Sequence, residues 1–293
     1  MSAQFRANCS ECVSSDDGNG GASKDRGMGG QASSVILGRP NYPERIFARI
    51  SRSVTVAAMT ESAGLMIEQR DHIMVIHLDD GKANALSFQL IAAINDAITE
   101  AEEDDEIRGI VLHGRPGRFS GGFDLGVMFA DDFTAIVNLV ADGGALVRRL
   151  YGASVPIVAA CTGHALAAGA LMLLGCDVRV GADIPAKIGL NEVAIKMVLP
   201  DWAMTIADVR LSKRHLQRSI VNARITTPAE AVDVGFLDEV VAQDALLERA
   251  VELAAEMAAT LDPIAYAGTI DAFRGETLAT MDAQITAARA SVT

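Results

Sequence analysis

The chain has 293 residues, half of them hydrophobic, and a formal net charge of −13. That is enough apolar material for one large domain with a buried core. The longest apolar stretch, residues 165–176, contains two glycines and falls short of the roughly 18 residues a membrane helix needs, so no membrane span is expected. Residues 1–58 carry seven Lys/Arg and five Asp/Glu, a balance of +2, which leaves −15 for residues 59–293. A field of that sign works against DNA or RNA as a partner, while local cations or helix N-termini can still hold the phosphates of an anionic ligand.

Residues 1–34 are rich in Gly, Ser and Asp and have almost no apolar periodicity, the composition of a disordered segment. Cys9 and Cys12 form a CxxC there with no second pair or nearby His, which reads as an accident rather than a zinc site. Cys161 and Cys176 lie in apolar surroundings and read as small buried hydrophobes. No disulfide framework and no signal-peptide pattern is visible, and a cytoplasmic location is expected. The folded part is expected to begin near Met59, with residues 1–58 as an N-terminal extension.

Residues 66–78 predict two strands with a turn at Arg70-Asp71. Ser87 is the expected N-cap of a helix over 88–103, where Leu90, Ile91, Ile94 and Ile98 recur at helical spacing. Residues 107–113 read as a buried strand ended by Gly114, Pro116 and Gly117. A helix is expected over 133–151, a strand over 155–161, a helix over 163–174 and a short strand over 177–181. Alternating strands and helices argue for an α/β domain. After Thr227 the chain reads as almost wholly helical, with Pro228 at a helix start and further helices over 244–260 and from 263 onward. The apolar faces of these last helices suit core packing or a subunit interface.

Three segments stand out. In Arg118-Phe-Ser-Gly-Gly-Phe-Asp-Leu125, paired glycines between a strand and a helix let backbone amides face a ligand, although such a dipeptide alone also marks a tight turn. In Thr162-Gly-His-Ala-Leu-Ala-Ala-Gly-Ala-Leu171, only small residues guard a helix start, which suits either close packing or a substrate approaching unpaired amides. In Ile188-Gly-Leu-Asn-Glu-Val193, a carboxylate sits among apolar residues that would raise its pKa, unless it is exposed.

Together with Asp80-Gly-Lys-Ala-Asn-Ala-Leu-Ser87 and the run from Pro156 to Gly169, these segments resemble the enoyl-CoA hydratase/isomerase (crotonase) family over roughly residues 66–250. The resemblance implies an α/β crotonase-like spiral of ββα units over 59–227, followed by a helical oligomerisation region over 228–293. It implies a homo-trimer or hexamer acting on an acyl-CoA thioester, with no permanently bound cofactor, coenzyme A arriving as part of the substrate. It puts the two oxyanion-hole amides on Gly121 and Ala168 and the acid/base on Glu192. Substrate contacts are carried over to Lys82, Ala83, Ala85, Leu86, Ser120, Gly122, Phe123, Asp124 and Leu166.

One position departs from the hydratase pattern. Hydratases of this family carry a first glutamate three residues after the second amide donor, and here that residue is Leu171. Adding water to a C=C bond usually divides the work between two carboxylates, whereas moving a double bond needs one base that removes a proton and returns it. The wording around Glu192 is similar to that of Δ3,Δ2-enoyl-CoA isomerases. Isomerisation of 3-enoyl-CoA is therefore the leading expectation. A hydratase or other crotonase activity using a substitute group, and a weakly catalytic acyl-CoA-binding subunit, stand as alternatives. His164, beside the second turn, is read as a hydrogen-bonded structural residue ahead of a catalytic one, and Asp177 as structural.

Overall fold

A computed structural model describes residues 64–292, and these open with a hairpin. Strands β1 (Leu65–Arg70) and β2 (Ile73–Leu78) pair antiparallel, with Arg70 opposite Ile73. The turn therefore falls on Asp71 and His72, one residue later than expected, with Asp71 at φ 53°, a conformation Asp tolerates. Helix α1 (Phe88–Glu103) has the expected bounds, and Ser87 accepts a hydrogen bond from the Leu90 amide as its N-cap.

A ββα rhythm then repeats three times. β3 (Gly109–Gly114) and β4 (Gly117–Ser120) precede α2 (Leu125–Met128) and α3 (Phe133–Tyr151). β5 (Ile157–Cys161) and β6 (Gly163–Leu166) precede α4 (Ala168–Gly175). β7 (Val178–Ala182) and β8 (Ile188–Gly189) precede α5 (Asp201–Arg210). Each repeat gives its first strand to a six-stranded sheet ordered β1-β2-β3-β5-β7-β9 and its second to a parallel three-stranded sheet ordered β4-β6-β8. The expected spiral is thus built by two sheets growing in step. After α6 (Leu216–Ile220) and α7 (Pro228–Val234), the last strand, β9 (Glu239–Val241), joins β7, and α8 (Leu246–Thr260) and α9 (Pro263–Ala290) complete the described residues.

Alternate residues of the large sheet serve different cores, as the two-residue period of a strand requires. Met74, Ile76, Ile110 and Leu112 face the main core, while Ile73, Val75, Val111 and Val158 are covered by Leu246, Ala250 and Ala254 of α8. Both faces are buried, which is why these strands read as continuous apolar runs. Asp177 is structural as expected: it accepts hydrogen bonds from the Ile157 amide, the Tyr266 hydroxyl and Arg274, which anchors α9.

Two expectations need correction. Residues 163–174 are not one helix, because Ala165 and Leu166 pair with Ile188 and Gly189, and Ala167, at φ 51°, breaks the chain before α4 begins. The region after Thr227, expected to be almost wholly helical, also contributes a strand, because β9 finds an open edge on β7. The expectation for residues 1–58, including Cys9 and Cys12, lies outside the described residues.

Candidate active site

The site is assembled from loops at the ends of the small-sheet strands. Residues 79–87 form the first layer. The Asp80 carboxylate accepts the amides of Lys82 (2.7 Å), Asn84 (2.8 Å) and Ala85 (3.0 Å). Burial pushes this carboxyl up, and those amides together with nearby Arg115 outweigh it, so the group is held below the usual range. The turn that results lies along residues 118–124 and is stapled to them by backbone hydrogen bonds.

These staples decide which amides are free. The Gly121 N–H donates to the Ala83 carbonyl at 2.8 Å, so it is already committed and the expectation that it serves as an oxyanion donor is corrected. The Gly122 N–H donates to Ser120 Oγ. Leu86 N–H donates to the Gly122 carbonyl at 2.8 Å, and Asp124 N–H donates to the Leu86 carbonyl at 3.1 Å. Between them, the Phe123 N–H finds no acceptor among the described residues. It belongs to the same trans peptide as the Gly122 carbonyl, so it points away from Leu86.

The second amide lies next to the first loop. Gly122 has φ 96°, and a Cβ built on it would lie 3.1 Å from Ala167 Cβ and 3.5 Å from the Ala168 nitrogen. Ala167 itself adopts φ 51° and ψ −126°, a conformation that costs a non-glycine residue about 1–3 kcal/mol. Its N–H stays in the sheet, donating to Gly189, and its carbonyl receives the amides of Ala170 and Leu171. The twist at Ala167 turns the Ala168 amide out of the ladder at the first position of α4, where it has no acceptor among the described residues. Two unpaired peptide N–H groups, Phe123 and Ala168, thus sit on touching segments, an arrangement suited to an oxygen that gains negative charge.

Glu192 follows three residues after Gly189, the partner of Ala167. Fully buried Leu190 anchors the segment, and the amides of Ile195 and Met197 close a tight turn onto the Glu192 carbonyl. Glu192 is 7% exposed, and its Oε2 is buried without a hydrogen-bond partner among the described residues. Burial pushes its pKa up to about 7, only partly offset by a hydrogen bond from its own backbone amide. A carboxyl in that range exchanges protons readily at neutral pH. Leu171, in the first turn of α4, is 1% exposed.

The other expected contacts divide. Ser120, Leu86 and Asp124 work inside the protein. Ser120 Oγ donates to the Asn84 carbonyl, Leu86 is fully buried, and Asp124 caps α2 through the Gly126 amide. Lys82 is exposed, while Ala83, Ala85 and Leu166 are half-buried around the loops. His164 is engaged as expected, since its Nδ1 accepts the Lys187 amide at 2.9 Å and burial, with Arg118 and Lys187, lowers its pKa. Burial pushes the Cys161 and Cys176 thiols up to about 12, so neither is a thiolate. Among the described residues no cluster of His, Cys, Asp or Glu could hold a metal, and no helix is long and apolar enough to cross a membrane. The unpaired Phe123 amide had no signal in the sequence, because it depends on which neighbouring amides the 83–86 turn consumes.

Comparison with known proteins accords with this geometry. The enoyl-CoA hydratase/isomerase family model matches residues 68–292. The chain belongs to that family. It is 33% identical over 180 residues to mouse mitochondrial enoyl-CoA delta isomerase 1, covering 61% of this chain and 62% of the mouse protein, less than two thirds of that relative's length. It is 32% identical over 192 residues to a probable enoyl-CoA hydratase of Mycobacterium bovis, covering 64% of this chain and 72% of the relative. The crystal structure of an enoyl-CoA hydratase/isomerase family protein from Pseudomonas syringae superposes with a TM-score of 0.75 at 38% identity, covering 78% of this chain and 98% of that one. The crotonase-like fold expected from the motifs is therefore the fold of this family member.

Proposed function

We propose that this protein moves a double bond within an acyl-CoA thioester, converting 3-enoyl-CoA into 2-enoyl-CoA. The observation that carries this reading is the solitary Glu192, buried with a free Oε2 and a pKa of about 7, while apolar Leu171 fills the position where hydratases of the family carry their first glutamate. Ionised Glu192 removes a proton from C2. The electrons of that C–H bond form C1=C2 and place negative charge on the thioester oxygen, with C3=C4 still in place. The Phe123 and Ala168 amides receive that oxygen, each such donor typically worth about 3 kcal/mol in the transition state. Protonated Glu192 then delivers its proton to C4, the C2=C3 bond forms and the thioester carbonyl returns. One carboxyl thus serves as base and acid, and no other reactant is consumed.

Hydration is the second reading, and one observation favours it. Asn191 Oδ1, next in the chain to Glu192, is also buried without a partner among the described residues. A water donating to both oxygens would be held as a nucleophile. An assembly of three or six copies belongs to the same proposal, its motive being Ile264 and Phe273 on α9, which are 86% and 82% exposed in the single chain.

The test is turnover of the purified full chain with trans-3-hexenoyl-CoA and with crotonyl-CoA in parallel. Double-bond migration is expected to be fast and hydration slow. Glu192→Gln is expected to lower kcat for migration by about 10²–10⁴ with little change in KM. Rapid hydration of crotonyl-CoA with 3-hexenoyl-CoA left untouched overturns the proposal.

A further inference from the structure

Asn84 is a buried polar residue that the chemistry above does not use. It is fully buried and has φ 50°, a left-handed conformation that Asn adopts far more readily than a branched or bulky residue. Its carboxamide nitrogen donates to the carbonyls of Leu78 (2.8 Å) and Phe119 (3.1 Å), with Arg118 at 3.3 Å. Its Oδ1 accepts the Asp80 amide at 3.0 Å. Its own carbonyl accepts the Ser120 hydroxyl at 2.8 Å, and that hydroxyl oxygen in turn accepts the Gly122 amide at 3.2 Å.

These contacts lie at one crossing point. On either side of Asn84, the Ala83 carbonyl holds the Gly121 amide and the Leu86 amide holds the Gly122 carbonyl. That last carbonyl shares a peptide plane with the Phe123 N–H, so whatever fixes residues 83–86 against residues 119–122 also aims the Phe123 amide. Asn is the residue type that meets every requirement here. Asp would set a carboxylate against the carbonyl oxygens of Leu78, Phe119 and Arg118, Gly would accept the backbone angle without supplying donors, and Ala would lose the donors and strain the angle.

We propose that Asn84 is a positioning residue for the reaction: its carboxamide locks the 79–87 turn onto the strand before Phe123 and so sets the direction of the Phe123 N–H. This rests on the reading that the Phe123 and Ala168 amides receive the thioester oxygen. A misaimed donor weakens an interaction that strengthens in the transition state, so the loss falls on kcat rather than on substrate binding.

The test uses Asn84→Gly, which keeps the backbone conformation and removes the carboxamide, alongside Ser120→Ala, which cuts the next link. Fluorescence of Trp202, the single and fully buried tryptophan, checks that each variant is folded. Asn84→Gly is expected to lower kcat by about 10- to 100-fold with KM within about threefold, and Ser120→Ala to act in the same direction more weakly. The acidic limb of the pH–rate profile, set by Glu192, is expected to stay where it is in both variants. In difference infrared spectra with a 13C=O-labelled 2-enoyl-CoA, the thioester carbonyl bound to wild-type protein is expected to shift to lower wavenumber, and Asn84→Gly to lose most of that shift. This second readout needs no turnover, so a failure of the isomerase reading and a failure of this inference separate. Unchanged kcat and an unchanged carbonyl shift in folded Asn84→Gly overturn it; if that variant does not fold, the same result in Ser120→Ala does so. An absent shift in wild-type protein removes the oxyanion reading and this inference with it.

Discussion

Replacing Glu192 by Gln is expected to stabilise the protein at alkaline pH while it removes activity. Burial raises the Glu192 carboxyl from 4.5 to about 7, which means that the folded state holds the neutral form and disfavours the charged one. At about 1.4 kcal/mol per pH unit, keeping this group ionised in the fold costs about 3 kcal/mol. The sign follows from linkage. The cost is absent below the unfolded pKa near 4.5, grows as pH rises, and is complete above about 7, so the native protein loses stability from this group across that window. Gln keeps the shape without the charge. Urea unfolding followed by Trp202 fluorescence, repeated from pH 5.5 to pH 8.5, is expected to show the advantage of Glu192→Gln growing with pH by about 2 kcal/mol. At the upper end of that range the melting temperature of the variant is expected to be higher by about 6–12 °C. A stability difference that does not change with pH refutes the reasoning, because Glu192 would then titrate alike in folded and unfolded chains.

The other predictions concern the turn at α4. Leu171→Glu restores a carboxyl beside the Ala168 amide and is expected to raise hydration of crotonyl-CoA above the wild-type level, measured by loss of enoyl absorbance. Burying that carboxyl is expected to lower stability by about 2 kcal/mol or more in urea titrations. Ala167→Gly accepts the same φ and ψ without a Cβ penalty and is expected to stabilise by about 1 kcal/mol with kcat within about twofold, checked by melting temperature and steady-state turnover.

Much of this protein was determined locally. The helical spacing of Leu90, Ile91, Ile94 and Ile98, with Ser87 ahead of it, defines α1 to the residue, and α3 has the expected bounds for the same reason. The family resemblance carried by the motifs pointed to Ala168 and Glu192, and small residues at a helix start and an acid in an apolar segment are legible without a fold. What tertiary structure decided was pairing. β6 forms because Ala165 and Leu166 find Ile188 and Gly189, a partner more than 20 residues away. β9 likewise forms because β7 leaves an edge open to it. The amide left unpaired is that of Phe123 and not that of Gly121, because the Ala83 carbonyl, brought across by the Asn84 turn, consumes the Gly121 amide. Periodicity and composition record which side chains are to be buried, whereas which backbone amide remains unpaired depends on the segment that arrives opposite it, and that is settled only when the chain closes.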